Sequence, residues 1–170
     1  MDDAGAQMLE QIPRLRRYAR ALTGSAATAD DLVQDCLERA WSRLHRWRRG
    51  SDMRAWLFTI MHRLNANRVR RLVAHPAEYP LDDAHERVLA APGSPEAALE
   101  IDDLDAALAA LPDGQREVLL LVALEGLSYA AVAQVLDLPQ GTVMSRLHRA
   151  RERLRRELAG EGAPRLRRIK

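Results

Sequence analysis

Arg146, Arg149 and Arg153 stand three and four residues apart near the C-terminal end of the chain, just after Thr142 and Ser145. At helical spacing these five fall away from an apolar row of Val143, Leu147, Ala150 and Leu154, so they face outward. Guanidinium groups can fork onto guanine edges or pair with phosphates, and Ser and Thr hydroxyls can do either. The chemistry on offer is recognition of nucleic acid rather than bond making. Histidines 45, 62, 75, 85 and 148 are scattered. No nucleophile beside a base and no phosphate-binding glycine loop is visible. The single Cys36 excludes an intramolecular disulfide, and no cysteine or histidine cluster suits zinc. The residues therefore predict no enzyme, no metal, no cofactor and no small-molecule substrate.

A row of arginines also describes an ordinary solvated helix face, and the residues before it decide between the two. Residues 128–151 read SYAAVAQVLDLPQGTVMSRLHRAR. Ser128 can cap a short helix whose apolar stripe is Val132, Val135 and Leu136. Asp137 sits where the chain must leave that helix, in a conformation that Asp tolerates better than most residues. Leu138 returns to the core. Pro139 suits the first turn of the next helix, where its missing N–H costs little. Two short helices about a tight turn make a helix-turn-helix, whose second helix enters the major groove of DNA.

Charge divides the chain into three. Residues 1–75 hold 14 Arg against 8 acids, residues 76–114 hold 1 Arg against 10 acids, and residues 115–170 hold 11 basic residues against 6 acids. Two basic lobes are thus joined by an acidic connector. Pro76, Pro80, Pro92, Gly93 and Pro95 puncture it, so residues 74–94 read as a flexible linker. Ser94-Pro95-Glu96 then reads as a helix start. Few runs alternate as strands do, and the composition predicts an all-α protein. Its domains are expected at 1–73 and 95–170, about the linker 74–94. No apolar stretch approaches the roughly 18 residues of a membrane span, and the N-terminus lacks the layout of a signal peptide. A cytoplasmic setting without membrane insertion is expected.

In the N-terminal lobe, Leu9, Ile12, Leu15, Ala19 and Leu22 predict a first helix ending near Thr23-Gly24. A second is expected from Thr28 to Leu44, burying Leu32, Val33, Cys36, Leu37, Ala40, Trp41 and Leu44, with Asp31, Gln34, Asp35, Glu38 and Arg39 opposite. A basic loop follows, Arg46, Trp47, Arg48, Arg49 and Gly50, with Ser51 or Asp52 to cap the next helix. Basic loops holding an aromatic suit single-stranded nucleic acid, although Trp47 taken alone is better read as packing on the lobe's core. The helix to about Leu72 buries Trp56, Leu57, Ile60, Met61 and Leu64. It carries a second, polar face with Thr59, Arg63, Ala66 and Arg70, flanked by His62, Asn67 and Arg71.

DDLVQ, RAWLF, LP followed by QREV, and GTVMSRLHRAR, in this order and spacing, resemble the extracytoplasmic-function sigma factors of bacterial RNA polymerase. The resemblance covers residues 8–72 and 100–158. It implies that Asp31, Gln34, Asp35, Glu38 and Arg39 dock on the core polymerase. It implies that the loop with Arg46, Trp47, Arg48, Arg49 and Ser51, together with Arg63, Asn67 and Arg70, takes and melts the minus-ten element. Gln140, Thr142, Ser145, Arg146, Arg149 and Arg153 would read the minus-thirty-five element. The acidic linker would thread toward the RNA exit path, and an anti-sigma factor is an expected partner. The chain departs from commoner family choices at His62-Arg63, Asn67, Asp137, Gln140 and Met144. The alternatives are a sigma-like decoy that sequesters an anti-sigma factor and an autonomous helix-turn-helix repressor. The decoy is disfavoured by the outward arginines, and the repressor by the lack of a dimerising heptad.

Overall fold

Pro13 splits the first predicted helix. Its ring clashes with the carbonyl four residues back and it offers no N–H. The chain therefore forms α1 (Asp3–Glu10) and α2 (Ile12–Thr23), broken at Gln11. Leu9, expected in the core, is exposed, because α1 buries Ala4, Gly5 and Met8 instead. Gly24 closes α2 in the left-handed conformation (φ 69°), donating its N–H to the Arg20 carbonyl. Ser25 at once caps α3 (Ala26–Ser42) by accepting the Thr28 N–H, so α2 and α3 form a tight hairpin. A single 3₁₀ turn, Leu44–Arg46, leads to the basic loop. The Asp52 carboxylate accepts the Ala55 N–H at the start of α4 (Met53–Ala74).

The chain is all-α, as its composition predicts: in a computed structural model, eight α-helices and no strand occur among the described residues. These are residues 3–75 and 95–160, with only the backbone given for 95–99. The expected linker beyond His75 lies outside them. The C-terminal lobe begins with α5 (Pro95–Ala109), whose first residue is the proline of the expected helix start. α6 (Asp113–Leu119) runs on into a π-helical turn, Leu120–Leu124. The helix-turn-helix is α7 (Tyr129–Leu136) and α8 (Gln140–Leu158).

The N-terminal core gathers Leu15, Tyr18, Cys36, Leu57, Phe58 and Met61, with the Tyr18 and Phe58 rings edge to face at 4.9 Å. That of the second lobe gathers Val118, Leu121, Val132, Val143 and Leu147. The two cores are continuous: α4 packs on α7, and α2 on the π-helical turn. Cys36 is buried as predicted, its thiol 3.5 Å from the Leu57 carbonyl, and burial pushes its pKa up to about 12. Iodoacetamide at pH 8 should therefore leave the folded chain unmodified and label the urea-unfolded chain, as read by mass spectrometry.

Candidate nucleic-acid interface

Each half of the helix-turn-helix is set by local chemistry. The Ser128 hydroxyl accepts the Ala131 N–H and starts α7. Asp137 takes the left-handed conformation (φ 53°, ψ 52°), the only non-glycine residue described with a positive φ. Pro139 stands one residue before α8, at its N-cap, rather than inside its first turn. Left-handed backbone costs an L-residue about 1–2 kcal/mol, part of which glycine loses again through its freer unfolded chain. Asp137→Gly should therefore raise stability by up to about 1 kcal/mol in urea unfolding.

Val143, Leu147 and Ala150 are buried beneath α8, with Leu154 partly so. Of the residues expected on the other side, Gln140, Ser145, Arg149 and Arg153 are exposed, while Thr142 is half-buried. Arg146 is held differently. Its guanidinium lies across the first turn of α6, where a Cβ on Gly114 would stand 2.8 Å from Nη1. Arg146 thus lies against α6, and Arg149 and Arg153 are the expected arginines left on the open face. Two residues missing from the expected set share that face: His148 and Met144 are both exposed. Their spacing of three and one from Ser145 is the signal that could have found them.

The N-terminal lobe presents two further surfaces. On α4, Arg63, Asn67 and Arg70 are exposed, and Arg70 donates to the Asn67 side chain at 2.6 Å and to the Ala66 carbonyl at 3.3 Å. These two expected site residues are therefore brought together. The loop before α4 exposes Arg46, Arg48, Arg49 and Ser51, with the Ser51 hydroxyl donating to the Arg48 carbonyl at 2.7 Å. Trp47 is not a free stacking platform. It is 8% exposed and packs into the lobe's core, anchoring the loop from below, with its indole nitrogen buried and unbonded.

On α3, Asp31, Gln34, Asp35, Glu38 and Arg39 are all exposed, with Gln34 donating to Glu38 at 3.0 Å. Trp41 belongs with them, not in the core where its type suggests: it is 59% exposed. Five residues beyond Cys36 on a helix of about 100° per residue, it points some 140° away from the buried thiol.

Sequence reasoning also passes over the polar residues that join the lobes. Arg116 donates to the carbonyls of Leu108, Ala109 and Leu111 and, across to α2, of Leu22. Glu117 meets the His62 ring at 2.7 Å, and buried Glu125 accepts from Arg17 at 2.9 Å. Burial first, then the Glu117 and Glu125 carboxylates, push the Tyr18 phenol well above its ordinary pKa. No trio of metal-ligating side chains occurs among the described residues, and no described helix is long and apolar enough to cross a membrane.

Two helical lobes, one a helix-turn-helix with an arginine-bearing second helix and the other a basic helix and loop, define a DNA-binding transcription factor. Residues 8–62 match the family described as Sigma2 domain of PhyR, and residues 101–154 match Sigma-70, region 4. The chain is 38% identical over 164 residues to the ECF RNA polymerase sigma factor EcfG of Rhodopseudomonas palustris, covering 95% of this chain and 88% of that one. It is 34% identical to the ECF RNA polymerase sigma factor SigM of Mycobacterium tuberculosis, over 85% of this chain and 71% of the relative. Among solved structures, the sigma factor RpoE in complex with the anti-sigma factor NepR from Bartonella quintana is 31% identical with a TM-score of 0.79. That likeness covers 95% of this chain and 99% of the other. The chain belongs to the extracytoplasmic-function RNA polymerase sigma factors, which direct transcription of stress-responsive genes.

Proposed function

We propose that the three exposed faces divide the work of promoter recognition. The α3 face, Asp31, Gln34, Asp35, Glu38 and Arg39 with Trp41 beside them, docks on core polymerase. The loop arginines 46, 48 and 49 with Ser51, together with Arg63, Asn67 and Arg70 of α4, engage the minus-ten element. The α8 face, Gln140, Ser145, His148, Arg149 and Arg153, reads the minus-thirty-five element in the major groove, with Thr142 at its edge. The observation that carries this reading is the open face of α8, where Ser145 and Arg149 stand clear of the lobe. Binding energy, not a catalytic residue, drives melting, and an anti-sigma factor holds the chain inactive in the cytoplasm. The proposed domains are 1–73 and 95–170, joined by 74–94.

Run-off transcription tests the reading. Purified chain with core polymerase should initiate at a cognate promoter, and neither should do so alone. Failure at every genomic promoter, with active core enzyme, would sink it. The decoy reading draws on the match of residues 8–62 to the Sigma2 domain of PhyR. A decoy would bind an anti-sigma factor yet give no transcript in the same assay.

A further inference from the structure

We propose that Met144 reads the C5-methyl group of one pyrimidine in the major groove, a claim that rests on the promoter reading above and deepens it. Initiation by this chain then depends on a single methyl in the minus-thirty-five element, carried by thymine or by 5-methylcytosine.

Met144 is 51% exposed on a helix whose other apolar side chains, Val143, Leu147 and Ala150, turn inward. From Gln140 to Arg149 the exposed residues are Gln140, Gly141, Met144, Ser145, His148 and Arg149, and Met144 alone of these carries an apolar side chain. At about 100° per residue it lies about 40° from His148 and about 60° from Gly141 around the helix. A methionine on a helix leans over the turn that precedes it. That turn is open, for a Cβ at Gly141 would meet nothing within 4 Å. The thioether is thus presented toward the N-terminal end of α8, the end that a recognition helix sets against base edges. A lone exposed methionine is an ordinary surface feature. Its place among groove-facing polar groups gives this one a ligand.

The major groove offers hydrogen-bonding atoms and one apolar group, the C5-methyl of thymine. 5-Methylcytosine carries the same methyl on the same carbon. Methionine suits that group, because it is uncharged and its unbranched, polarizable stem adapts to a small apolar neighbour. The same chemistry argues against a phosphate, since a thioether has neither charge nor donor. The neighbours are poorer candidates. Ser145 donates its hydroxyl to the Thr142 carbonyl at 3.0 Å, and His148 and Arg149 present polar nitrogens. The Thr142 methyl is the one rival, but Thr142 is half-buried and about 160° round the helix from Met144.

Transcription by core polymerase with the full chain, on cognate templates that differ by one methyl, tests the contact. Replacing each thymine of the minus-thirty-five element in turn by deoxyuridine removes the methyl and keeps the pairing. Replacing each cytosine by 5-methylcytosine adds it. With both strands scanned, the wild type should lose about three- to fivefold at one thymine or gain as much at one cytosine, the scale of one buried methyl group. A loss identifies thymine as the ligand, and a gain identifies 5-methylcytosine. Met144→Gln, similar in size and exposed, should melt with the wild type yet no longer respond to that methyl, whereas Met144→Leu should keep the response. A wild type indifferent to every methyl, a response that survives Met144→Gln, or one lost in Met144→Leu would overturn the contact. If the response survives Met144→Gln and disappears in Thr142→Ser, the methyl belongs to Thr142. A wild type inactive at every promoter, with active core enzyme, would instead overturn the promoter reading and take the methyl contact with it.

Discussion

Arg116→Ala should lower the stability of the chain by about 3–5 kcal/mol, the largest loss expected of any single polar substitution here. The guanidinium, 15% exposed, donates to four carbonyls: Leu108 at 2.8 Å, Ala109 at 2.7 Å, Leu111 at 2.8 Å and Leu22 at 3.2 Å. Leu108 and Ala109 end α5, where helix carbonyls have no partner within the helix. Hydrogen bonds to a charged donor are worth about 1.5–3 kcal/mol each, and a buried acceptor left bare loses its hydration as well. The full sum exceeds what a marginally stable domain can lose, and water will reach some of these oxygens, which sets the lower figure. Burial lowers the Arg116 pKa, with Asp113 opposing, yet an arginine stays charged at neutral pH. Arg116→Lys should recover less than half of the loss, because a point charge cannot fork to several carbonyls. Urea unfolding followed by circular dichroism measures both. A loss below about 1 kcal/mol for the alanine variant would mean that water replaces the guanidinium.

Arg116 also marks where the sequence stops being legible. QREV belongs to a family pattern, but nothing near residue 116 says that its side chain reaches back to Leu22. The helix-turn-helix is readable because its causes are local: a serine that caps, an aspartate that turns left-handed, an apolar row of period three and four. The contacts that join the lobes are not, since Arg17 and Glu125 are 108 residues apart and His62 and Glu117 are 55 apart. Singly, each carboxylate resembles any helix charge. His62, one of the departures from commoner family choices, acquires a role only through that long-range contact.

Other differences between sequence and structure have another origin. Trp41 suggests a core residue because tryptophan is large and apolar, although its angle on α3 already turns it outward. Trp47, better read alone as a core residue, is drawn into the DNA-contacting set by the family resemblance and its basic loop, and the structure uses its ring to hold that loop on the lobe. Type outweighs position in the first expectation, and neighbourhood outweighs type in the second. The break at Pro13 is a local signal that the apolar row Leu9–Leu22 conceals.

The face of α8 yields the second large effect. Arg149→Ala should weaken minus-thirty-five-dependent initiation by about 5- to 150-fold, the equivalent of about 1–3 kcal/mol for one bidentate base contact. The contrast with Arg146 gives the test its force. Both are arginines of one helix, and the family pattern assigns both to DNA. Arg149 is exposed, one turn from Ser145, whereas Arg146 is half-buried over Gly114. Arg149→Ala should thus leave the melting temperature within a degree or two, as exposed substitutions do, and flatten discrimination at a single base pair. Arg146→Ala should cost stability, by about 1 kcal/mol for lost packing on α6, and reduce initiation without changing which base is preferred. Transcription from a promoter library mutated through the minus-thirty-five element, with thermal melts of each variant, separates the two. If Arg149→Ala weakens every promoter alike, its partner is a phosphate, and the base reading passes to Ser145, His148 and Met144, whose exposed thioether matches a thymine methyl.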